Sequence, residues 1–140
     1  MTEEEMWKLS GLSGKYEAWA FSEAPDKLAA LVKSGVKTAT CSAYDFYQIE
    51  DEPIPQVGDY SIILDSKENA VCIIKTTRVS VTAFDHVSAE HAFKEGEGDR
   101  SLQDWRDVHE DFLKNELSKI GKVFDGTANV VCEEFEVVFP

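Results

Sequence analysis

A chain of 140 residues carrying 14 Lys and Arg against 27 Asp and Glu has a net charge of −13. That length suits one domain, and the charge works against any role that needs a broad basic surface. Nonspecific nucleic-acid binding draws its affinity from counterion release by basic side chains, so it is expected to be weak and any nucleic-acid contact local. With 43% hydrophobic and 11% aromatic residues, a packed interior is expected rather than disorder. No apolar run approaches the roughly 20 residues that cross a bilayer. The start, Met1-Thr2-Glu3-Glu4-Glu5-Met6, lacks the basic and apolar regions of a secretory signal. No membrane association and a cytoplasmic location are therefore expected. Cys41, Cys72 and Cys132 are far apart and form no Cys-x-x-Cys pair, which reads as buried thiols rather than disulfides or a zinc site.

Residues 1–15 read as an arm or short helix, with Met6, Trp7 and Leu9 available to dock on a body spanning 16–140. Tyr16 to Phe21 suits a buried strand. A helix follows, with Pro25 in its first turn, Leu28, Leu31 and Val32 at helical spacing, and Gly35 as its stop. The next strand is predicted from Lys37 to Cys41, and Tyr44 to Gln56, with two prolines and several acids, reads as a loop. Tyr60–Leu64 and a long run from Ala70 to about Val81, joined by a polar turn, predict an antiparallel hairpin. A short helix is predicted within Phe84 to Lys94. A longer one, capped by Ser101, carries an apolar stripe from Leu102 to Ile120 and stops at Gly121. In the last strand, from about Asn129 to Phe139, Val131, Glu133, Phe135 and Val137 form one face and Cys132, Glu134, Glu136 and Val138 the other, one buried and one wetter. The order predicts about four to six mostly antiparallel strands in a small curled sheet or barrel flanked by about three helices.

Two segments carry unusual polar chemistry. In Gly35-Val36-Lys37-Thr38-Ala39-Thr40, a regular strand would point Lys37 and Thr40 to opposite faces, and only a bend near the helix cap would bring them together. A Lys- and Thr-rich edge strand is the plain alternative. In Glu95-Gly96-Glu97-Gly98-Asp99-Arg100, three acids and two glycines form a tight loop between helices. A helix C-cap at Gly96 and a charge arrangement for the next helix explain part of it. Its acids do not have the spacing of a calcium loop. His86, His91 and His109 form no zinc pair; His91 and Glu95 stand at i, i+4, and His109 reads as a partly buried helix residue.

Taken together these segments resemble the ASCH domain family, whose fold is the PUA-like β-barrel. The resemblance rests on the family's Gly-x-Lys-x-x-Thr hallmark at Gly35 to Thr40. It extends to Trp19-Ala20-Phe21, Val57-Gly58-Asp59-Tyr60, Thr76-Thr77, Glu95 to Leu102 and Trp105-Arg106, as in the longer bacterial members, and covers about residue 16 to 140. It implies an α+β fold: a PUA-like, small mixed or antiparallel β-barrel flanked by helices. It also implies binding of RNA or of a nucleoside, with no cofactor and no metal. One branch of the family hydrolyses the amide of N4-acetylcytidine through the motif lysine, the motif threonine and a downstream glutamate. By position these are Lys37, Thr40 and Glu95, with Tyr44, Glu97, Arg100 and Trp105 as expected substrate contacts. The arginine that often closes the motif is Ser42 here, leaving Arg100 or Arg106 as its substitute.

On that reading the partner is a nucleoside or short RNA segment, and the acidity favours the smaller ligand. The alternatives are a noncatalytic RNA-binding module and a ribonuclease acting on single-stranded RNA. In the hydrolytic version a neutral lysine would take the threonine's proton, which requires burial to lower the lysine's pKa. A charged Glu95 alongside would hold Lys37 protonated, and a charged Lys37 suits binding of a phosphate or carbonyl oxygen better than base catalysis.

Overall fold

The computed structural model describes every residue from Met1 to Pro140. Five strands, β1 (Glu17–Trp19), β2 (Ala39–Ala43), β3 (Tyr60–Leu64), β4 (Ala70–Ala83) and β5 (Asn129–Phe139), form one sheet in the order β1-β3-β4-β5-β2. β1 runs parallel to β3, and every other pairing is antiparallel. The sheet is mixed and curled, a half-barrel with β1 and β2 at its edges. Register shifts between Ile73 and Ile74 and between Thr76 and Arg78 bend the long β4, as bulges do.

Around the sheet lie α1 (Glu3–Ser10), α2 (Pro25–Lys33), α3 (Tyr44–Ile49), α4 (Ala89–Glu95) and α5 (Leu102–Ser118). The N-terminal segment is a true helix, closed by a capping box between Thr2 and Glu5, and Met6 anchors it on Ile62, Leu64 and Ile73. Successive residues of a strand point to opposite faces. So α2, through Ala29 and Val32, packs on Ile63, Cys72, Ile74 and Phe135 on the reverse side. α5 brings Trp105, Leu113 and Leu117 against Val130, Cys132 and Ala43, the face of β5 opposite to Phe135. Fully burying a side chain such as Leu113 contributes about 1.5–3 kcal/mol, so these three clusters hold the helices to the sheet.

Two local expectations are corrected. The strand predicted from Lys37 to Cys41 begins at Ala39 instead. Gly35 turns with φ 84°, and the amides of Val36 and Lys37 both donate to Leu31 O, so the end of α2 holds the chain through Lys37. The predicted loop of Tyr44 to Gln56 opens with α3, because Pro53 and Pro55 bar a helix only near themselves and Phe46 has the α5 cluster to pack against. The alternation in β5 holds with one change. Cys132 is as buried as its odd-numbered neighbours, since α5 covers the face expected to be wetter.

Candidate functional site

β2 divides the polar chemistry between two faces. Residues directly opposite each other on antiparallel strands share a face. Cys41 lies opposite Cys132 on the side that α5 covers, whereas Thr40 lies opposite Glu133 on the other side.

On the α5 side lies a buried charge network. Lys37 and Glu95 are each 1% exposed. The Lys37 ammonium donates to Ala39 O at 2.9 Å, Glu97 Oε2 at 2.9 Å and Glu95 O at 3.3 Å, and lies 3.6 Å from Glu95 Oε1. Those three acceptors match the three donors of an ammonium. Glu95 Oε2 accepts from His91 Nε2 at 2.7 Å and from Trp105 Nε1 at 2.8 Å, while His109 Nε2 lies 3.3 Å from Oε1. Burial alone would raise the Glu95 pKa, but the bonds from His109 and His91 and the Lys37 charge outweigh it and hold the carboxyl well below the usual carboxylate range. Burial would likewise lower His109, yet its contact with Glu95 raises it above its ordinary value. The imidazole stacks on Trp105 at 4.3 Å, and its Nδ1 donates to Trp105 O.

The acidic loop closes this network from outside, and Gly96 makes the crossing possible. At φ 72° it caps α4, and a Cβ there would stand 2.6 Å from Val36 O. Arg100 stacks on the Phe93 ring at 3.7 Å and reaches Val36 O at 3.4 Å. Cys41, Glu95 and His109 place three potential metal-ligand atoms within 4.8 Å of one another. That donor set fits a metal poorly: both Glu95 oxygens are already engaged, and burial pushes the Cys41 thiol well above its ordinary pKa, leaving it protonated.

A cavity of about 1220 Å³ opens on the Thr40 side and wraps around the β2 edge, where Cys41 and the α5 residues Phe112 and Glu116 also line it. Trp19, Phe21, Phe46 and Tyr47 supply aromatic walls, and Thr40, Ser42, Thr76 and Glu133 supply polar groups. Ser42 Oγ and the Tyr47 hydroxyl are 2.8 Å apart. Thr76 Oγ1 donates to Glu133 Oε2 at 2.6 Å. Glu133 has no cationic partner. Burial raises its pKa, the Thr76 bond offsets only part of this, and the charges of Asp59 and Glu17 add to the rise. The wall is acidic throughout: Glu17, Glu50, Glu52, Asp59, Glu116 and Glu133 line it against the single cation Lys15.

The expected site residues are thus split. Lys37, Glu95, Glu97 and Trp105 come together in the buried network, with Arg100 bracing the segment beside it. Thr40 lines the cavity and makes no hydrogen bond or ion pair with Lys37 or Glu95. Tyr44 begins α3, where its hydroxyl accepts from Gln48 at 3.4 Å, and it does not line the cavity. Phe21 touches both regions, since it lines the cavity and its ring centroid lies 5.5 Å from Lys37 Nζ. Sequence reasoning missed His109 and Glu133 as site groups. For Glu133 the signal was present, as a carboxylate standing among Val131, Phe135 and Val137 on the apolar register of the last strand.

A half-barrel of mixed strands whose helices follow and precede each strand in this order is an α+β PUA-like fold, the class the hallmark segment implies. The sequence pattern of the ASCH domain matches residues 17–139, and the chain belongs to the ASCH domain family. An ASCH domain structure from Lactobacillus crispatus JV V101 superposes with a TM-score of 0.92 at 29% identity, covering 98% of this chain and 94% of that one. Protein EF3133 from Enterococcus faecalis V583 gives 0.85 at 34% identity, covering 97% and 87%. The hypothetical protein PH0355, at 21% identity and a TM-score of 0.58 over 89% of this chain and 99% of that one, shares the fold. No curated protein matches the sequence. No helix is long and apolar enough to cross a membrane.

Proposed function

We propose that this ASCH domain binds a nucleobase or nucleoside in the cavity between β2, β5, α3 and the segment around Trp19, and that it does so without catalysing a reaction. The observation that carries this reading is the chemistry of the cavity wall. Aromatic faces suit stacking of a planar base, and a few convergent polar groups suit its edges, the usual composition of a small-ligand pocket. Six carboxylates against one lysine oppose a polyphosphate chain, which supports a nucleoside over an RNA strand and over ribonuclease action.

The hydrolytic version has less support. Lys37 has its donors occupied and is closed from solvent, and Thr40 lies across the sheet from the network, so the lysine base that the hydrolytic version requires is not beside the threonine's proton. N4-acetylcytidine incubated with the protein is expected to remain intact by chromatography. Turnover abolished by Thr40→Val or Lys37→Ala in a folded variant would overturn the noncatalytic reading.

The binding itself is tested by thermal shift against a nucleoside panel. A ligand at 100 times its Kd adds about 2.7 kcal/mol of stability. A raised Tm with at least one nucleoside, beside weak filter retention of generic single-stranded RNA at physiological salt, is the expected result. Tight, sequence-indifferent RNA retention with no nucleoside response would reject it.

A further inference from the structure

Glu133 is a carboxylate that the fold buries without neutralising. It is 8% exposed, sits in the middle of β5 opposite Thr40, and lines the cavity. Every other buried acid or base has a counter-charge: Lys37 meets Glu95 and Glu97, and Glu95 also meets His91 and His109. Glu133 receives only the Thr76 hydroxyl, on Oε2. Its Oε1 has no protein partner and is not sealed from solvent, so it stays available on the cavity side. Thr76 is 1% exposed and fixes the orientation of the carboxylate, so the free oxygen is presented in one direction. An acceptor held in place by Thr76, with its second oxygen open to an aromatic cavity, is suited to a ligand donor.

Resting on the reading of the cavity as a nucleoside site, we infer that Glu133 is its specificity-determining residue, accepting the paired N–H donors of a guanine-type edge. The reason is complementarity. An ionised carboxylate only accepts, through two oxygens with about four lone-pair sites, of which Thr76 fills one. Adenine and cytosine each set an acceptor nitrogen beside the amino group, and uracil flanks its single N–H with two carbonyls. Guanine alone among the common bases presents a ring N–H and an amino group side by side. An acetylated cytidine keeps a single amide N–H beside the acceptor N3 and adds a carbonyl acceptor, so it lacks the paired donors and is disfavoured. The neighbouring carboxylates, Asp59 and Glu17, also accept rather than donate, so they add to the preference for a donor-rich ligand.

Calorimetric titration of the wild-type protein near neutral pH with guanosine, inosine, adenosine and cytidine tests this. Inosine keeps the ring N–H and lacks the amino group, so guanosine is expected to bind on the order of 10-fold more tightly than inosine, and adenosine and cytidine more weakly still. Glu133→Gln places a donor where an acceptor stood at nearly the same volume. It is expected to weaken guanosine by about 10- to 100-fold and to erase the guanosine-over-inosine preference. If adenosine or cytidine binds best to the wild type, or if folded Glu133→Gln binds guanosine unchanged, the role of Glu133 is overturned while the cavity remains a nucleoside site. If no nucleoside binds the wild type, both fall together. The wild-type preference decides the question even if the variant fails to fold.

Discussion

The two faces of β2 both gather polar side chains and put them to opposite uses. Behind Cys41, the Lys37, Glu95, His91, His109 and Trp105 groups satisfy one another in a dry cluster. In front of Thr40, Glu133 and its neighbours are also withdrawn from bulk water but leave acceptor capacity unused. Burial costs a polar group its hydration, and only partners within the protein repay that cost. A cluster that is fully paired therefore acts as structure, and an incompletely paired one is available to a ligand. The hallmark segment contributes to both. Its lysine ties the end of α2 to the acidic loop, and its threonine, one strand-face away, lines the cavity.

The sharpest way to break this comparison is to remove one partner on each side. Glu95→Ala leaves the Lys37 ammonium and two imidazoles buried against a void, and is expected to destabilise by about 3–5 kcal/mol in urea unfolding. Thr40→Val, across the sheet, keeps the strand-forming shape and is expected to cost under about 1 kcal/mol. Equal losses would show that the two faces are not divided as described.

A smaller effect is expected from Trp105→Phe, which preserves the ring stack on His109 and Phe84 and deletes the indole donor to Glu95. The loss is expected at about 1.5–3 kcal/mol, the value of a buried hydrogen bond to a charged group, and ligand binding in the cavity should be unchanged. A change in nucleoside affinity with unchanged stability would reverse the assignment of Trp105 to the scaffold.

The smallest effect is the pH dependence of the network, which involves fractional exchange of single protons. Glu95 has a depressed folded-state pKa, so its contribution is present above its unfolded value near 4.5 and is lost as pH falls through the folded one. His109 is raised, so its contribution is complete below 6.5 and is lost as pH rises through the folded value. Glu133, also raised, contributes in the same sense as His109: fully below 4.5, then declining as pH rises. Between them Glu95 and His109 place the network's greatest stability at about pH 4.5 to 6.5. Unfolding free energies across pH are expected to decline above that window, and His109→Gln to flatten the decline. An undiminished slope in that variant would assign the titration elsewhere.

Much of this protein was legible in its residues. Gly35, Gly96 and Gly121 mark helix ends where φ is positive, the alternation in Val131 to Val137 sets the faces of β5, and the heptad-like stripe from Leu102 to Leu117 sets the buried face of α5. Those features depend on neighbours a few residues apart, so local geometry alone determines them. The separation of Lys37 and Thr40 is expected from a strand through both, but the strand begins only at Ala39; the end of α2 holds Lys37, and Thr40 takes its face from the strand. Sequence alone did not decide which of the buried acids would find a partner. Glu95 and Glu133 each stand close to other acids in the sequence, Glu95 near Glu97 and Asp99 and Glu133 beside Glu134. One is ionised and saturated because α4, α5 and the end of α2 converge on it. The other is left with one hydroxyl because β4 offers it Thr76 and the facing space is empty cavity. That difference comes from side chains as much as 58 residues apart in the chain, and only the packing of helices on both sides of the sheet brings those groups within the few ångströms over which hydrogen bonds and charges act.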